Sequence, residues 1–371
     1  MPLSDLDSQL MARALRLAER GLYTTMPNPR VGCVIALEGE PIAEGWHQRA
    51  GEAHAEVNAL AKAGERARGA TAYVTLEPCN HTGRTGPCSQ ALIDAGIARV
   101  VFGMEDPNPK VAGEGLERLR AAGVQVDGPL LEEDARALNP GFIKRMERGL
   151  PWVRCKLAMS LDGRTAMASG ESKWVTGRRA REDVQRLRAR SCVIISGIDT
   201  VLMDQAALTV RADELKLDDA EAIAARQPLR VVLDSRGRMT PDAPLLQHPG
   251  PVLLVHSGEV ADTEWPAQVE TLALAGRDGR IDLSALLLEL ARREYSEVLV
   301  ESGATLAGAF LGQGLLDELI VYMAPKLLGS NARPLFQLPL DSMAAQLPLK
   351  IHDIRAVGHD WRITASPDPE G

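Results

Sequence analysis

The stretch HAEVNALAKAGERARGATAYVTLEPCNHTGRTGPCSQALIDAG, residues 54–96, decides the fold of the first part of the chain. HAEVNALAKAG reads as a helix, TAYVTLEP as a strand and PCSQALIDAG as a second helix. Working outward, VGCVIAL (31–37), the turn EGE and PIAEGWH (41–47) read as a hairpin. Before it, Leu6, Leu10, Met11, Ala14, Leu15 and Ala18 recur at helical spacing and stop at Gly21. After it, RVVFG is a strand, and GEGLERLRAAG is a helix leading into VQV. Strands alternating with helices of this length predict an α/β layered unit, with the strand order left open.

The charged stretch LEEDARALNPGFIKRMERGLP separates this unit from the strand WVRCKLAMS and is the natural crossing between domains, with a boundary near Gly149. The chain of 371 residues is long enough for two domains, placed at 1–148 and 149–371. The second unit alternates again. TGRRAREDVQRLRARS and DLSALLLELARRE read as helices; CVIISG, LRVVLDS, VLLVH and EVLVESG read as strands. ELIVYMAPKLLG and LKIHDIRAVGHDWRIT close it with further strand-like runs. Residues 212–228 read as an exposed insertion and SPDPEG as a mobile tail, and there is no tandem repeat or low-complexity tract.

Hydrophobic residues make up 45% and charged residues 25%, the balance of an ordered globular chain. A net charge of −8 with 4% aromatic residues argues against a nucleic-acid surface, which needs clustered cations and stacking platforms. MPLSDLDSQL lacks the features of a signal peptide, and no apolar run reaches the ~20 residues of a membrane span, so a cytoplasmic protein acting on small molecules is expected. Five cysteines, an odd number, suit metal or thiol chemistry better than a disulfide framework.

His54-Ala-Glu56 at the start of one helix, Pro78-Cys79 and then Cys88 at the start of the next supply three zinc ligands. One His and two thiolates leave a fourth position for water, the mark of a catalytic rather than a structural site. Glu56 lies two residues past His54, projects differently, and suits a proton shuttle. His-x-Glu alone occurs by chance, and cysteines often pack as small apolar residues. Cys33, Cys155 and Cys192 sit in apolar strands and are expected in cores. Zinc nucleobase deaminases usually space their thiolates Cys-x-x-Cys, whereas here eight residues, NHTGRTGP, intervene.

In this longer form the run Pro-Cys-Asn-His-Thr-Gly-Arg-Thr-Gly-Pro-Cys, 78–88, resembles the deaminase domain of the bifunctional deaminase/reductase family of riboflavin biosynthesis. The resemblance implies a substrate-side role for His81. Asn28-Pro-Arg-Val-Gly32 resembles a family segment whose Asn reads the base edge, with a simple Asn-Pro turn as the alternative.

Further on, Lys156-Leu-Ala158-Met-Ser160-Leu-Asp162-Gly163-Arg164, Gly170-Glu-Ser172-Lys-Trp174, Asp199-Thr200-Val-Leu-Met-Asp204, Leu208-Thr-Val-Arg211 and Val300-Glu301-Ser-Gly303-Ala-Thr-Leu-Ala-Gly308-Ala309 resemble the family's reductase domain. The implied architecture is a cytidine-deaminase-like αβα domain followed by a dihydrofolate-reductase-like α/β domain.

By itself, the segment from Glu301 is a buried strand ending in a small-residue loop that opens a helix, a place for a phosphate. It is not a Rossmann fingerprint, and such junctions commonly serve packing alone. The resemblance implies that Ala158, Trp174, Thr200, Asp204, Ser235, Gly303, Ala304, Thr305, Leu306, Ala307, Gly308 and Ala309 contact NADPH. It likewise implies that Ser172, Arg188, Leu208, Arg211 and Glu301 contact substrate. Two arginines suit a sugar phosphate, although Arg188 lies on an arginine-rich helix where solvated surface arginine is the competing reading. Lys156 and Asp204 are candidates for handling the proton at the reduced carbon.

The implied chemistry is zinc-dependent deamination of 2,5-diamino-6-(5-phosphoribosylamino)pyrimidin-4-one with Glu56 carrying protons. NADPH reduction of the ribosyl group to ribityl follows. Enzymes of this type are commonly homo-oligomers. The competing readings are a nucleoside or tRNA deaminase fused to an unrelated domain, and a zinc-stabilised binding module without activity.

Overall fold

Ser4 starts the first helix: its hydroxyl accepts from the Asp7 N–H at 3.1 Å while the Asp7 carboxylate accepts from the Ser4 N–H at 2.8 Å, a reciprocal capping box. The computed structural model describes residues 3–80, 86–109, 112–258 and 263–368, divided into two units, Met1–Leu150 and Pro151–Gly371. In the first unit, α1 (Asp5–Glu19) precedes the hairpin β1 (Gly32–Leu37) and β2 (Glu40–Trp46). Then come α2 (Ala55–Ala63), β3 (Thr71–Val74), α3 (Cys88–Asp94), β4 (Arg99–Phe102), α4 (Glu114–Ala121) and β5 (Gln125–Asp127). The sheet order is β2-β1-β3-β4-β5, antiparallel from β2 to β3 and parallel from β3 to β5. Met11 and Ala14 of α1, Val34 and Ile35 of β1, Ala59 of α2, Leu92 of α3 and Leu119 of α4 meet in one buried cluster.

Gly45 fixes how closely α2 lies on the sheet. A Cβ there would stand 2.2 Å from the Ala55 carbonyl oxygen, so any side chain would lift the helix start that carries His54. Two expectations change in this unit. Leu6, assigned by its spacing to the apolar face of α1, is 44% exposed because the helix turns its buried face through Asp7, Leu10 and Met11 instead. The charged crossing stretch contains two helices, α5 (Glu132–Leu138) and α6 (Pro140–Arg148), that fold back onto the first unit. Ala135 and Ile143 join its core, and the Asn139 side chain pairs with both backbone groups of Arg30, at 2.8 and 2.9 Å. Their charges lie on the outer face, which is why the stretch resembled a linker.

In the second unit, β6 (Trp152–Ser160) and β7 (Arg164–Ala166) lead to α7 (Arg178–Ala189), β8 (Val193–Gly197) and α8 (Ile198–Asp204). The short helices α9 (Ala212–Leu215) and α10 (Ala220–Ala224) precede β9 (Leu229–Leu233), β10 (Val252–His256) and β11 (Val269–Ala273). Next come α11 (Leu283–Arg292), β12 (Glu297–Glu301), α12 (Ala304–Gly312), β13 (Glu318–Ala324) and β14 (Arg333–Pro334). The hairpin β15 (Leu349–Val357) and β16 (Asp360–Pro367) ends the unit.

One sheet runs β11-β10-β9-β8-β12-β6-β13-β16-β15. Strands β11 to β13 in that order are all parallel, and the closing hairpin is antiparallel. β9 and β12 are buried throughout, as continuous apolar strands covered on both faces should be. Their C-terminal ends therefore line one edge, where open parallel sheets bind ligands.

The segment at 212–228 is not a free insertion. Leu215 and Ile223 are buried, and the Gln227 side chain bonds both the N–H and the carbonyl of Val210 at 2.9 Å. Alternating charges hid two short helices with one anchoring residue each. Of the tail, Ser366 and Pro367 complete β16, while residues 369–371 lie outside the described residues. β11 had no counterpart among the expected strands: its residues are half-exposed and carry Glu270 and Thr271, an edge pattern without a long apolar run.

Candidate active sites

His54 is the N-cap of α2 and Cys88 the first residue of α3, so two helix starts and the Pro78-Cys79 turn after β3 converge. His54 Nδ1 lies 3.2 Å from Cys88 Sγ and 3.5 Å from Cys79 Sγ. Among the described residues these three form the one His/Cys/Asp/Glu group fit to hold a metal, all three ligand atoms within 4.8 Å of one another. Ligands at ~2.0–2.3 Å from a tetrahedral zinc stand roughly 3.5 Å apart, so the donor set and its spacing both fit zinc with a fourth position free.

The thiols are unequal. Hydrogen bonds from the Cys88 thiol and then from His54 lower Cys79, which favours its thiolate form. Glu56 is buried and stands outside the ligand group, its carboxyl against the Cys88 thiol. Burial, reinforced by the Cys79 charge, pushes it up to about 7, where it can both take and give a proton.

Asn28 reaches the same site through His47, a residue that sequence reasoning missed. Its amide nitrogen lies 3.2 Å from His47 Nε2, and the His47 ring stands edge-on to His54 at 5.3 Å. Burial keeps His47 below the ordinary histidine range, and its Nδ1 lies 3.2 Å from the Ala53 carbonyl. An isolated GWH at a strand end carries no spacing signal that would have exposed it. His81 falls outside the described residues.

Glu77, also missed, accepts from the N–H groups of Asp106, Gly113 and Gly115 at 3.1, 2.9 and 2.9 Å. A Cβ on Gly115 would stand 1.9 Å from the Pro78 carbonyl oxygen. Asp106, Gly113 and Gly115 are thereby held against the turn that presents Cys79. Cys33, Cys155 and Cys192 are buried in strands or beside them and are not members of the metal group.

In the second unit, Glu301 at the end of β12 receives a two-pronged pair from Arg188 of α7, at 2.6 and 3.0 Å. The Arg188 side chain is 13% exposed, which removes the solvated-surface reading: α7 turns this arginine inward, where it also donates to the Thr209 carbonyl at 3.0 Å. Burial alone would raise Glu301, but Arg188, with Lys156 and Arg211 behind it, holds it below its ordinary value. Lys156, on β6, is pushed down by burial.

Ser172 donates to Asp204 at 3.1 Å, joining two of the expected contact residues. Leu208 follows in the left-handed region at φ +54°, a conformation costly for a leucine and often kept at ligand sites. Arg211 lies at the surface, paired with Glu214 at 2.8 Å.

Ala158 of β6 pairs with Tyr322 of β13, Thr200 lies in α8, and Gly303 caps α12. A Cβ at Gly303 would meet nothing within 4 Å, so the N-cap of α12 borders free space. The expected loop is helical from Ala304 onward: Ala307 is buried, and a Cβ on Gly308 would stand 2.3 Å from the Gln337 carbonyl oxygen, so these two small residues serve packing. Trp174 is 62% exposed, with the Arg181 guanidinium 4.4 Å over its ring. Ser235 stands farther along the edge, just past β9. Sequence reasoning missed what holds Trp174 in place: Lys326 donates to the Trp174 and Val175 carbonyls at 3.0 and 2.9 Å. Asp162 in turn accepts from the N–H groups of Leu328 and Gly329 at 3.1 and 2.8 Å.

The family model for the cytidine and deoxycytidylate deaminase zinc-binding region matches residues 4–104, and that for the RibD C-terminal domain matches residues 151–363. The riboflavin biosynthesis protein RibD of Escherichia coli is 54% identical over 359 residues, covering 95% of this chain and 97% of that protein. A solved RibD structure from Acinetobacter baumannii superposes with a TM-score of 0.90 at 47% identity, covering 98% of this chain and 99% of its own. A diaminohydroxyphosphoribosylaminopyrimidine deaminase/5-amino-6-(5-phosphoribosylamino)uracil reductase from Thermotoga maritima gives 0.86 at 33% identity, covering 98% and 99%. Both units thus have the expected folds, cytidine-deaminase-like and then dihydrofolate-reductase-like.

Proposed function

The chain belongs to the RibD family, whose members join a zinc-dependent deaminase and an NADPH-dependent reductase of riboflavin biosynthesis, and from that premise we propose which residues carry each step. The deaminase is assigned to residues 1–148 and the reductase to 149–371. The substrate is 2,5-diamino-6-(5-phosphoribosylamino)pyrimidin-4-one. Water replaces its 2-amino group, ammonia leaves, and the ribosylamine of the product is then opened and reduced to give 5-amino-6-(5-phosphoribitylamino)uracil.

When bound, zinc supplies a Lewis acid that lets water ionise near neutral pH, and NADPH supplies the hydride. His54, Cys79 and Cys88 hold the metal. Glu56 takes the proton of the attacking water and returns it to the departing amine, a task suited to a carboxyl pushed up to about 7. Asn28, oriented by His47, reads the edge of the pyrimidine, and His81 lies on the substrate side.

In the reductase, Ala158, Trp174, Thr200, Asp204, Ser235, Gly303 to Leu306 and Ala309 hold the dinucleotide. Ser172, Arg188, Leu208, Arg211 and Glu301 hold the phosphorylated sugar. Lys156 and Asp204 are placed to manage the proton that accompanies the hydride. The residues' main task is to align the two reacting carbons and exclude water.

No helix among the described residues is long and apolar enough to cross a membrane. A cytoplasmic homo-oligomer acting on small molecules, with no nucleic-acid partner, completes the reading. The observation that carries it is the convergence of His54, Cys79 and Cys88 beside a buried Glu56. The test is zinc content together with ammonia release and NADPH oxidation followed separately on the diaminopyrimidinone nucleotide. About one zinc per chain, with ammonia appearing before NADPH is consumed, is expected. Ammonia without NADPH consumption would remove the reductase assignment.

A further inference from the structure

We propose that the loops after β9 and β11 form the subsite for the 2′-phosphate of NADPH, with Arg236, Arg277 and Arg280 as its ligands. The inference rests on the cofactor placement given above and deepens it: it names what makes this site prefer NADPH over NADH.

Ala158 on β6 marks the nicotinamide end, and the open N-cap of α12 at Gly303, after β12, marks the pyrophosphate. In the sheet, β6 and β8 lie on opposite sides of β12, followed outward by β9, β10 and β11. A dinucleotide with its nicotinamide toward β6 must therefore send its adenosine over β8 and β9. Adjacent strands are ~4.8 Å apart, so β10 lies roughly 14 Å from β12, the scale of an adenosine nucleotide and its pyrophosphate. Ser235, just past β9, stands on that path.

The structure ties two basic loops together there. The hydroxyl of Ser257, one residue past β10, lies 2.8 Å from the Gly279 carbonyl oxygen and 3.0 Å from that of Ser235, its one proton shared between them. One hydroxyl thus joins DSRGR (234–238) to GRDGR (276–280). Arg236 follows Ser235, Arg280 follows Gly279, and Arg277 stands two residues before it with Asp278 between.

The four arginines are not equivalent. Arg238 is held by Asp199 at 2.7 Å, with Asp234 at 3.9 Å. Among the described residues, Arg236, Arg277 and Arg280 have no carboxylate in ion-pair range, and all three are exposed. In a chain of net charge −8, most of whose arginines on this unit are paired, three uncompensated cations at one sheet edge invite a dianion. A phosphate monoester offers acceptor oxygens that suit forked guanidinium donors. NADH, with a neutral 2′-hydroxyl at that position, offers nothing for them to neutralise.

The experiment measures NADP+ and NAD+ binding by calorimetry on the full chain, with adenosine 2′,5′-bisphosphate as a probe lacking the nicotinamide. In the R236A/R277A/R280A variant, NADP+ and the bisphosphate should each bind at least tenfold more weakly, the loss expected for charge-assisted hydrogen bonds at an accessible site. NAD+ binding and ammonia release should be unchanged, and lysine at the same three positions should restore part of the affinity. Equal losses for NADP+ and NAD+, or no loss for either, would overturn the subsite. A wild-type chain that binds neither dinucleotide would overturn the cofactor placement and the subsite with it.

Discussion

The two sites are built in opposite ways. In the first unit, the proposed ligands and proton shuttle lie within 35 positions of sequence, from His54 to Cys88, and two helix starts present them. In the second, the residues proposed to contact cofactor and substrate run from Ala158 to Ala309, spread over strands of one sheet and the segments that follow them. Their polar groups already satisfy one another: Arg188 holds Glu301, and Ser172 holds Asp204. The first site is a compact group of His and Cys ligands, and the second is a set of already paired polar groups. A preformed metal cluster tolerates little change in any member, whereas a dispersed cofactor groove spreads its affinity over many contacts.

The comparison is tested most severely at Glu56. Replacing it with alanine should leave zinc content intact and slow ammonia release by ~100 to 10,000-fold, the span of general acid–base catalysis. NADPH oxidation on substrate that has already been deaminated should be unaltered. Turnover near that of the parent enzyme would remove Glu56 from its role, and loss of both activities would show that the two sites do not act separately.

A smaller effect is expected from breaking the Arg188–Glu301 pair. Arg188→Ala leaves a buried carboxylate without its counter-charge, which costs on the order of 3 kcal/mol, and reductase kcat/KM should fall by tenfold or more. Removing both members should cost less than the sum of the two single changes, since neither charge is then stranded. Additive losses in urea unfolding would mean that the pair is not coupled and that the groove is less pre-paired than the distances of 2.6 and 3.0 Å imply.

The same contrast explains what could be read in the sequence. His54, Glu56, Cys79 and Cys88 were legible because metal chemistry dictates residue types at short spacings. His47 and Glu77 were not: each acts through one neighbour or one loop, and single polar residues at strand ends carry no pattern. Most strands and helices were legible from apolar periodicity, but α5, α6, α9 and α10 were hidden because each buries only one or two apolar residues under a charged face. The reductase groove needed the sheet order, which periodicity leaves open. Lys326, for instance, meets Trp174 across 152 positions of sequence.

The smallest effect is expected at a third polar cluster, on which the first unit's packing depends. Asp7 is buried on α1 and accepts from Arg99 at 2.7 Å, from the Tyr73 hydroxyl at 2.8 Å and from the Ser4 N–H at 2.8 Å. Burial by itself would raise this carboxyl, but the Arg99, Ser4 and Tyr73 donors outweigh it and hold Asp7 well below the ordinary carboxylate range. A carboxyl depressed in the folded state stabilises it fully above the unfolded value near 4, and that contribution fades as pH falls toward the folded value. Asp7→Asn should therefore destabilise the first unit by about 1–3 kcal/mol at pH 7, read from hydrogen exchange of the β3 amides. The gap between variant and parent should narrow as pH drops below about 4. Protonation of His54 and the thiolates weakens zinc binding in both proteins alike, so it cancels from that difference. A gap that stays constant from pH 7 to pH 3 would show that Asp7 acts by shape and not by charge, and that the acid sensitivity of the first unit resides wholly in its metal site.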